Sequence, residues 1–131
     1  MMLSKNFSLA EMTRSTTATK KRIENVPNDA QIESMRELCV KVLQPLRDSL
    51  GPVNISSGFR SQKLNVAIGG STTSQHCALR GAAADIDMDS RNAEVFNYIK
   101  DNVIYDQLIW EFGDDNNPSW VHVSYYYGHN R

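Results

Sequence analysis

The sequence predicts an α+β fold in which helices come first and antiparallel strands follow. Three observations carry this. Apolar residues recur at helical spacing from Ile32 to Leu46 in the first half of the chain. Two alternating stretches, Asp106 to Phe112 and Trp120 to Tyr126, close it. Between them, Gly113-Asp114-Asp115-Asn116-Asn117-Pro118-Ser119 is long for a hairpin but has the right turn chemistry.

Taken in order, Ser8-Leu9-Ala10-Glu11 reads as a capping box that opens a short helix. Ser15 to Lys20 reads as a Thr-rich connector. A second capping box, Asn28-Asp29-Ala30-Gln31, stands directly after Pro27. Ile32, Met35, Leu38, Cys39, Val42, Leu43 and Leu46 then form one face of a long helix. Pro45 should kink that helix or start a new turn, and Gly51-Pro52 should end it. Val53 to Ser57 is a short strand with Gly58 as its tight exit. Ser61 caps a short helix that runs toward Ala67 and is broken by Gly69-Gly70. Ala82 to Met88 is a strand, and Ser90 caps a helix with Val95, Phe96, Ile99 and Val103 on one face.

The chain has 131 residues, 40% of them hydrophobic and 22% charged, the composition of a folded chain able to hold its own core. No repeat, low-complexity tract or linker divides it, so residues 1–131 are expected to form one domain. A net charge of −1 argues against nucleic acid as a partner, because phosphate affinity comes from clustered Lys and Arg. Lys20-Lys21-Arg22 is the only basic run. No apolar stretch reaches the roughly 18 to 20 residues of a membrane span, so no membrane insertion is expected. Met1 to Ala10 lacks the pattern of a signal peptide, which implies a chain that is cytoplasmic as synthesised. Cys39 and Cys77 do not make a disulfide framework.

Alternation puts Leu108, Trp110 and Phe112 on one face of their strand, and Ile109 and Glu111 on the other. On the last strand Val121, Val123 and Tyr125 share one face, and Trp120, His122 and Ser124 share the other. Asp85 follows three alanines that leave room for something to approach the backbone. Zinc catalysis needs three protein ligands, an open position, and a separate carboxylate to move a proton. His76, Asp85 and His122 with Glu111 supply one such set, although the spacing alone does not single it out.

Four motifs occur in a particular order. They are Ser57-Gly58-Phe59-Arg60-Ser61, Ser74-Gln75-His76, Gly81-Ala82-Ala83-Ala84-Asp85-Ile86 and Trp120-Val121-His122-Val123-Ser124. With them the chain resembles the zinc D-alanyl-D-alanine carboxypeptidase family. That family also contains murein endopeptidases of phage lysis systems, with hedgehog signalling domains and vancomycin-resistance dipeptidases as distant relatives. The likeness is closest to short phage and bacterial members and runs from Phe7 to about Tyr126. It takes in Leu46-Arg47-Asp48 and Leu108-Ile109-Trp110-Glu111-Phe112. The resemblance implies a small antiparallel sheet with helices packed against it and a zinc cleft over the sheet. It also implies His76, Asp85 and His122 as the Zn²⁺ ligands. Arg60 would orient the substrate, and Ser74 would line the pocket. Peptidoglycan stem peptides are the partners implied, met by a monomeric enzyme that acts at the cell wall once released.

The chain departs from the family in two places. The family spaces its first two ligands as His-x6-Asp, whereas Cys77-Ala78-Leu79-Arg80 here lengthen the loop before Gly81 by two residues. Better-known members carry their catalytic acid three residues before the last histidine, where Ser119 stands here. Glu111 is the substitute, ahead of Asp114 or Asp115. If no residue replaces the acid, the alternative is a non-catalytic zinc-holding module that binds wall peptides or a protein partner. Trp120 is read as a substrate-gripping aromatic, against the common role of strand aromatics in packing. Cys77 reads as a small filler and Cys39 as core. Asp87 and Asp89 read as solvated strand-end charges, and an EF-hand is rejected because Ser90 stands where glycine is required. Gly69-Gly70 lacks the lysine and spacing of a phosphate loop and reads as a turn. His129 reads as tail.

Overall fold

The computed structural model describes residues 1–128, so the tail reading of His129 lies outside the described residues. Elements follow in the order α1 (Leu9–Thr13), α2 (Thr16–Lys21), α3 (Asp29–Leu38), α4 (Gln44–Leu50), β1 (Ile55–Ser57) and α5 (Gln62–Ala67). Then come β2 (Ala82–Ile86), α6 (Asn92–Asn102), β3 (Leu108–Glu111) and β4 (Trp120–Tyr125). The class is α+β. The four strands form one antiparallel sheet in the order β1-β2-β4-β3.

Caps start the helices largely where the sequence puts them. Ser8 accepts the N–H of Glu11, and Ser61 accepts that of Leu64. At α3 both halves of the capping box form: Asn28 Oδ1 accepts from Gln31 N, and Gln31 Oε1 accepts from Asn28 N, each at 2.8 Å. The long helix continues beyond α3 through one π-turn, Cys39–Leu43, before α4. There the Gln44 N–H bonds to Cys39 O, one residue wider than the α register. Pro45 falls in the first turn of α4, directly after that π-turn, so it starts a new turn without ending the helix.

Two local readings are corrected. Ser15 to Lys20 is not a connector: Ser15 Oγ accepts the Ala18 N–H at 3.1 Å, and Thr16–Lys21 is helical. The cap and the burial of Ala18 outweigh the weak helix propensity of its threonines. Ser90 does not cap α6, because it lies inside a single 3₁₀ turn, Asp89–Arg91. Its place is taken by Asn117 from the distant β3–β4 loop, whose Oδ1 accepts the Ala93 N–H at 2.8 Å. The strands are also shorter than their alternating patterns. β1 starts at Ile55, β2 stops at Ile86, β3 starts at Leu108, and β4 stops at Tyr125.

The helices α3 and α6 pack on one face of the sheet, and α4 packs against α6. That face presents Ala82, Ala84 and Ile86 of β2 with Val121 and Val123 of β4, all buried against Leu38, Val42, Leu46, Val95 and Ile99. What approaches the three alanines is the protein itself: α3, and the turn that carries His76. Burial of such side chains contributes roughly 1.5–3 kcal/mol each and leaves the other face of the sheet free for the site.

Candidate metal centre

The uncovered face of the sheet is a row of cross-strand neighbours. Ser57 pairs with Asp85, Asp85 with His122, and His122 with Ile109. Glu111 pairs with Trp120 one step further along the same face. Period-two alternation therefore sends Asp85, His122, Glu111 and Trp120 to the side opposite the core.

His76 reaches this face from outside the sheet, on a 3₁₀ turn, Gln75–Cys77. Ser74 caps that turn, its Oγ accepting the His76 N–H at 3.2 Å. The His76 Nδ1 lies 2.7 Å from Gly58 O. A carbonyl can only accept, so Nδ1 donates there, and Nε2 is the nitrogen that faces Asp85 and is left for a metal. Gly58 has to be glycine for this contact: a Cβ there would run into the Met12 carbonyl of α1. The extra loop after His76 is absorbed by Ala78 in a left-handed conformation (φ 56°), with Leu79 and Arg80 turned to solvent.

His76, Asp85 and His122 each offer one ligand atom, and these atoms all lie within 4.8 Å of one another. Asp85 Oδ1 is 3.3 Å from His76 Nε2 and 3.0 Å from His122 Nδ1. Tetrahedral zinc with bonds of about 2.0–2.2 Å separates its ligand atoms by about 3.3 Å, close to the distance from Asp85 Oδ1 to each histidine nitrogen. Burial alone would push the Asp85 carboxyl up. Hydrogen bonds and positive charge from His122 and His76 outweigh that burial and hold it below the usual carboxylate range. The carboxylate is thus ready to coordinate.

The cleft over the triad encloses about 440 Å³ and is lined by Arg60, Ser74, Gln107, Glu111 and Trp120 as well as the three ligands. Asp114 and Asp115 do not line it. Asp114 is spent on its own loop, where its Oδ1 accepts the N–H groups of Asn116 and Asn117. Ser119 is exposed and donates its N–H to Glu111 O at 2.9 Å. Trp120 stands at the cleft wall with its ring 5.2 Å from that of Phe112. Trp110 faces the other way and packs on Phe96 of α6.

A family model described as Peptidase M15 matches residues 5–124. The chain belongs to the peptidase M15 family. Membership of this family, that of the zinc D-alanyl-D-alanine carboxypeptidases, supports a metallopeptidase, and the M15 cluster of His76, Asp85 and His122 has the donors that zinc takes. No curated protein sequence matches the chain. Among the described residues no helix is long and apolar enough to cross a membrane.

Several residues that hold the M15 centre carry no local mark. Gln31 belongs to the α3 capping box, yet its Nε2 also donates to Cys77 O at 2.9 Å and so ties α3 to the His76 turn. Gln75 Nε2 donates to Asp106 Oδ2 at 2.7 Å and to Arg80 O at 2.8 Å, bracing the same turn. Its place inside Ser74-Gln75-His76 was the one available hint. Asp87 is not free in solvent. Its Oδ1 accepts from Asn92 Nδ2, which also donates to Pro118 O and Ser119 O and so anchors the loop before β4. Burial pushes the Cys77 thiol up despite nearby Arg60, the opposite of an activated nucleophile.

Proposed function

We propose that this protein is a zinc peptidase that hydrolyses peptidoglycan stem peptides at bonds involving D-amino acids, in the manner of a phage endolysin. The observation that carries this reading is the gathering of three zinc-type donors at the floor of an open cleft whose wall includes Glu111. His76, Asp85 and His122 would hold the ion. Zinc, when bound, supplies a Lewis acid that polarises the scissile carbonyl and makes a water acidic enough to attack near neutral pH. Glu111 takes the proton of the attacking water and returns it to the leaving amine. Arg60 binds a substrate carboxylate or stabilises the oxyanion as it forms, with its stem held by the fold. Ser74 and Trp120 line the substrate's path. The enzyme works as a monomer on wall peptides, reaching the wall after release from the cytoplasm.

The test is digestion of purified murein with and without a chelator, followed by mass analysis of the fragments. Zinc-dependent release of peptide fragments supports the reading, and the fragment masses separate carboxypeptidase from endopeptidase cleavage. A second reading, a zinc-holding module that binds wall peptides without cutting them, is favoured by one observation: serine at position 119. Zinc-loaded protein that binds murein and releases nothing would establish that alternative.

A further inference from the structure

The strand β3 ends at Glu111, and the chain leaves it through two residues in the left-handed region, Phe112 (φ 53°) and Gly113 (φ 74°). Glycine takes that conformation freely, and a Cβ at Gly113 would run into the Asn117 carbonyl. Phenylalanine takes it only under steric strain, because its Cβ crowds the backbone. Burial does not offset the strain. Phe112 is 72% exposed, so a large ring is held in solvent where glycine or asparagine would fold more easily. Strained residues of this kind collect where a protein handles a ligand.

What the strain achieves is position. The Phe112 ring lies 5.2 Å from that of Trp120, tilted by 48°. Trp120 lines the metal cleft and Phe112 does not, so the pair forms a ledge that leads outward from the cleft. The loop behind the ledge is fixed. Asp114 Oδ1 accepts the N–H groups of Asn116 and Asn117, and Trp110 Nε1 donates to Asp114 O at 3.0 Å. Asn117 Nδ2 donates to Asp89 O at 2.9 Å. Asp115 and Asn116 are exposed in the same loop and bring a carboxylate and an amide close to the rings along the chain.

An apolar peptide side chain is held best in a concave, closed pocket, whereas this surface is open and followed by polar residues. A sugar ring suits it. The C–H face of the ring lies on an aromatic surface, and the hydroxyls at its rim meet carboxylate and amide groups. The exposed charges of the loop are carboxylates, which favours a neutral sugar over an acidic one.

We propose that Phe112 and Trp120 form a saccharide subsite, which takes a neutral sugar ring of the murein glycan beside the peptide bond at the metal triad. Phe112 is its specificity-determining residue. The inference rests on the peptidase reading and deepens it: the preferred substrate is a stem peptide still linked to its sugar.

The test begins with NMR titration of the zinc-loaded protein with a trimer of N-acetylglucosamine, which offers no stem peptide to cut. Saturable shifts should centre on Phe112, Trp120 and the loop between them. Phe112→Gly should abolish them and Phe112→Tyr should keep them. Phe112→Gly should also melt no lower than the unaltered protein, since it gives up strain, so lost binding is not lost folding. Absence of saturable shifts at the ledge overturns the proposal. So does tighter binding there of N-acetylphenylalanine amide, which would assign the ledge to an apolar side chain. Hydrolysis is then compared for a disaccharide-linked stem peptide and the same peptide N-acetylated, so that charge is equal. The sugar-linked form should have a KM about tenfold lower, and Phe112→Gly should remove most of that preference. Equal KM values overturn the proposal. Trimer binding at the ledge with no cleavage of either peptide or of murein defeats the peptidase reading and leaves the saccharide site standing. Cleavage of both peptides with no trimer binding does the reverse.

Discussion

On β4 the side chains of Val121 and Val123 are wholly buried under the helices, whereas Trp120 and His122, one position away, line the metal cleft. The same contrast holds on β2 between Ile86 and Asp85. One backbone thus serves two purposes, because successive strand residues point to opposite faces. The covered face is apolar and supplies stability. The open face holds three polar groups whose mutual attraction is useful only when something joins them. Changes on the two faces should therefore appear in different measurements.

The sharpest break is Glu111→Gln on the open face. It should lower kcat by about 10²–10⁴-fold, with zinc content and melting temperature unchanged. Turnover equal to the unaltered protein would remove Glu111 from the chemistry. On the covered face Ile86→Ala should cost about 2–5 kcal/mol in urea unfolding, while the folded, zinc-loaded fraction still hydrolyses substrate. Gln31→Ala crosses the divide, since that side chain both caps α3 and holds the His76 turn. It should cost about 1–2 kcal/mol and also weaken zinc binding in a competition with a chelator. Loss of stability with zinc affinity intact would show that the turn keeps its place without α3.

The smallest effect concerns Cys39, a fully buried core thiol. Burial, then the charge of Glu11, push it up to about 12, with Arg36 acting weakly against them. The unfolded chain releases this proton near pH 9, well before the folded protein does. Its contribution to stability is therefore intact below that pH and fades as pH rises toward 12. Cys39→Ala should make the alkaline loss of stability less steep, and alkylation at pH 8 should leave Cys39 unmodified until denaturant is added.

The parts of this fold legible in the sequence are those fixed by neighbours along the chain. Asn28 and Gln31 close a capping box within one turn, and the apolar spacing from Ile32 to Leu46 needs only helical geometry. The α6 cap was not legible, because Asn117 reaches Ala93 across 24 positions. Phe112 was misplaced for a related reason. Alternation puts it with Leu108 and Trp110, but the strand ends at Glu111, and Phe112 takes a left-handed φ of 53° that turns it out beside Trp120. A pattern of period two has no force beyond the last paired residue.

For the metal centre, residue types and spacing left His76, Asp85 and His122 as one possible set, and it was the family resemblance carried by four ordered motifs that implied them as ligands. Tertiary structure decided that Asp85 stands about a tetrahedral edge from each histidine nitrogen, that the longer loop leaves the three together, and that Glu111 rather than Asp114 or Asp115 lines the cleft. Such distances depend on how α1, α3 and β1 approach one another, through contacts such as Gly58 against Met12 and Gln31 against Cys77. Contacts between residues 46 positions apart leave no periodic trace in a chain, so only the folded molecule contains them.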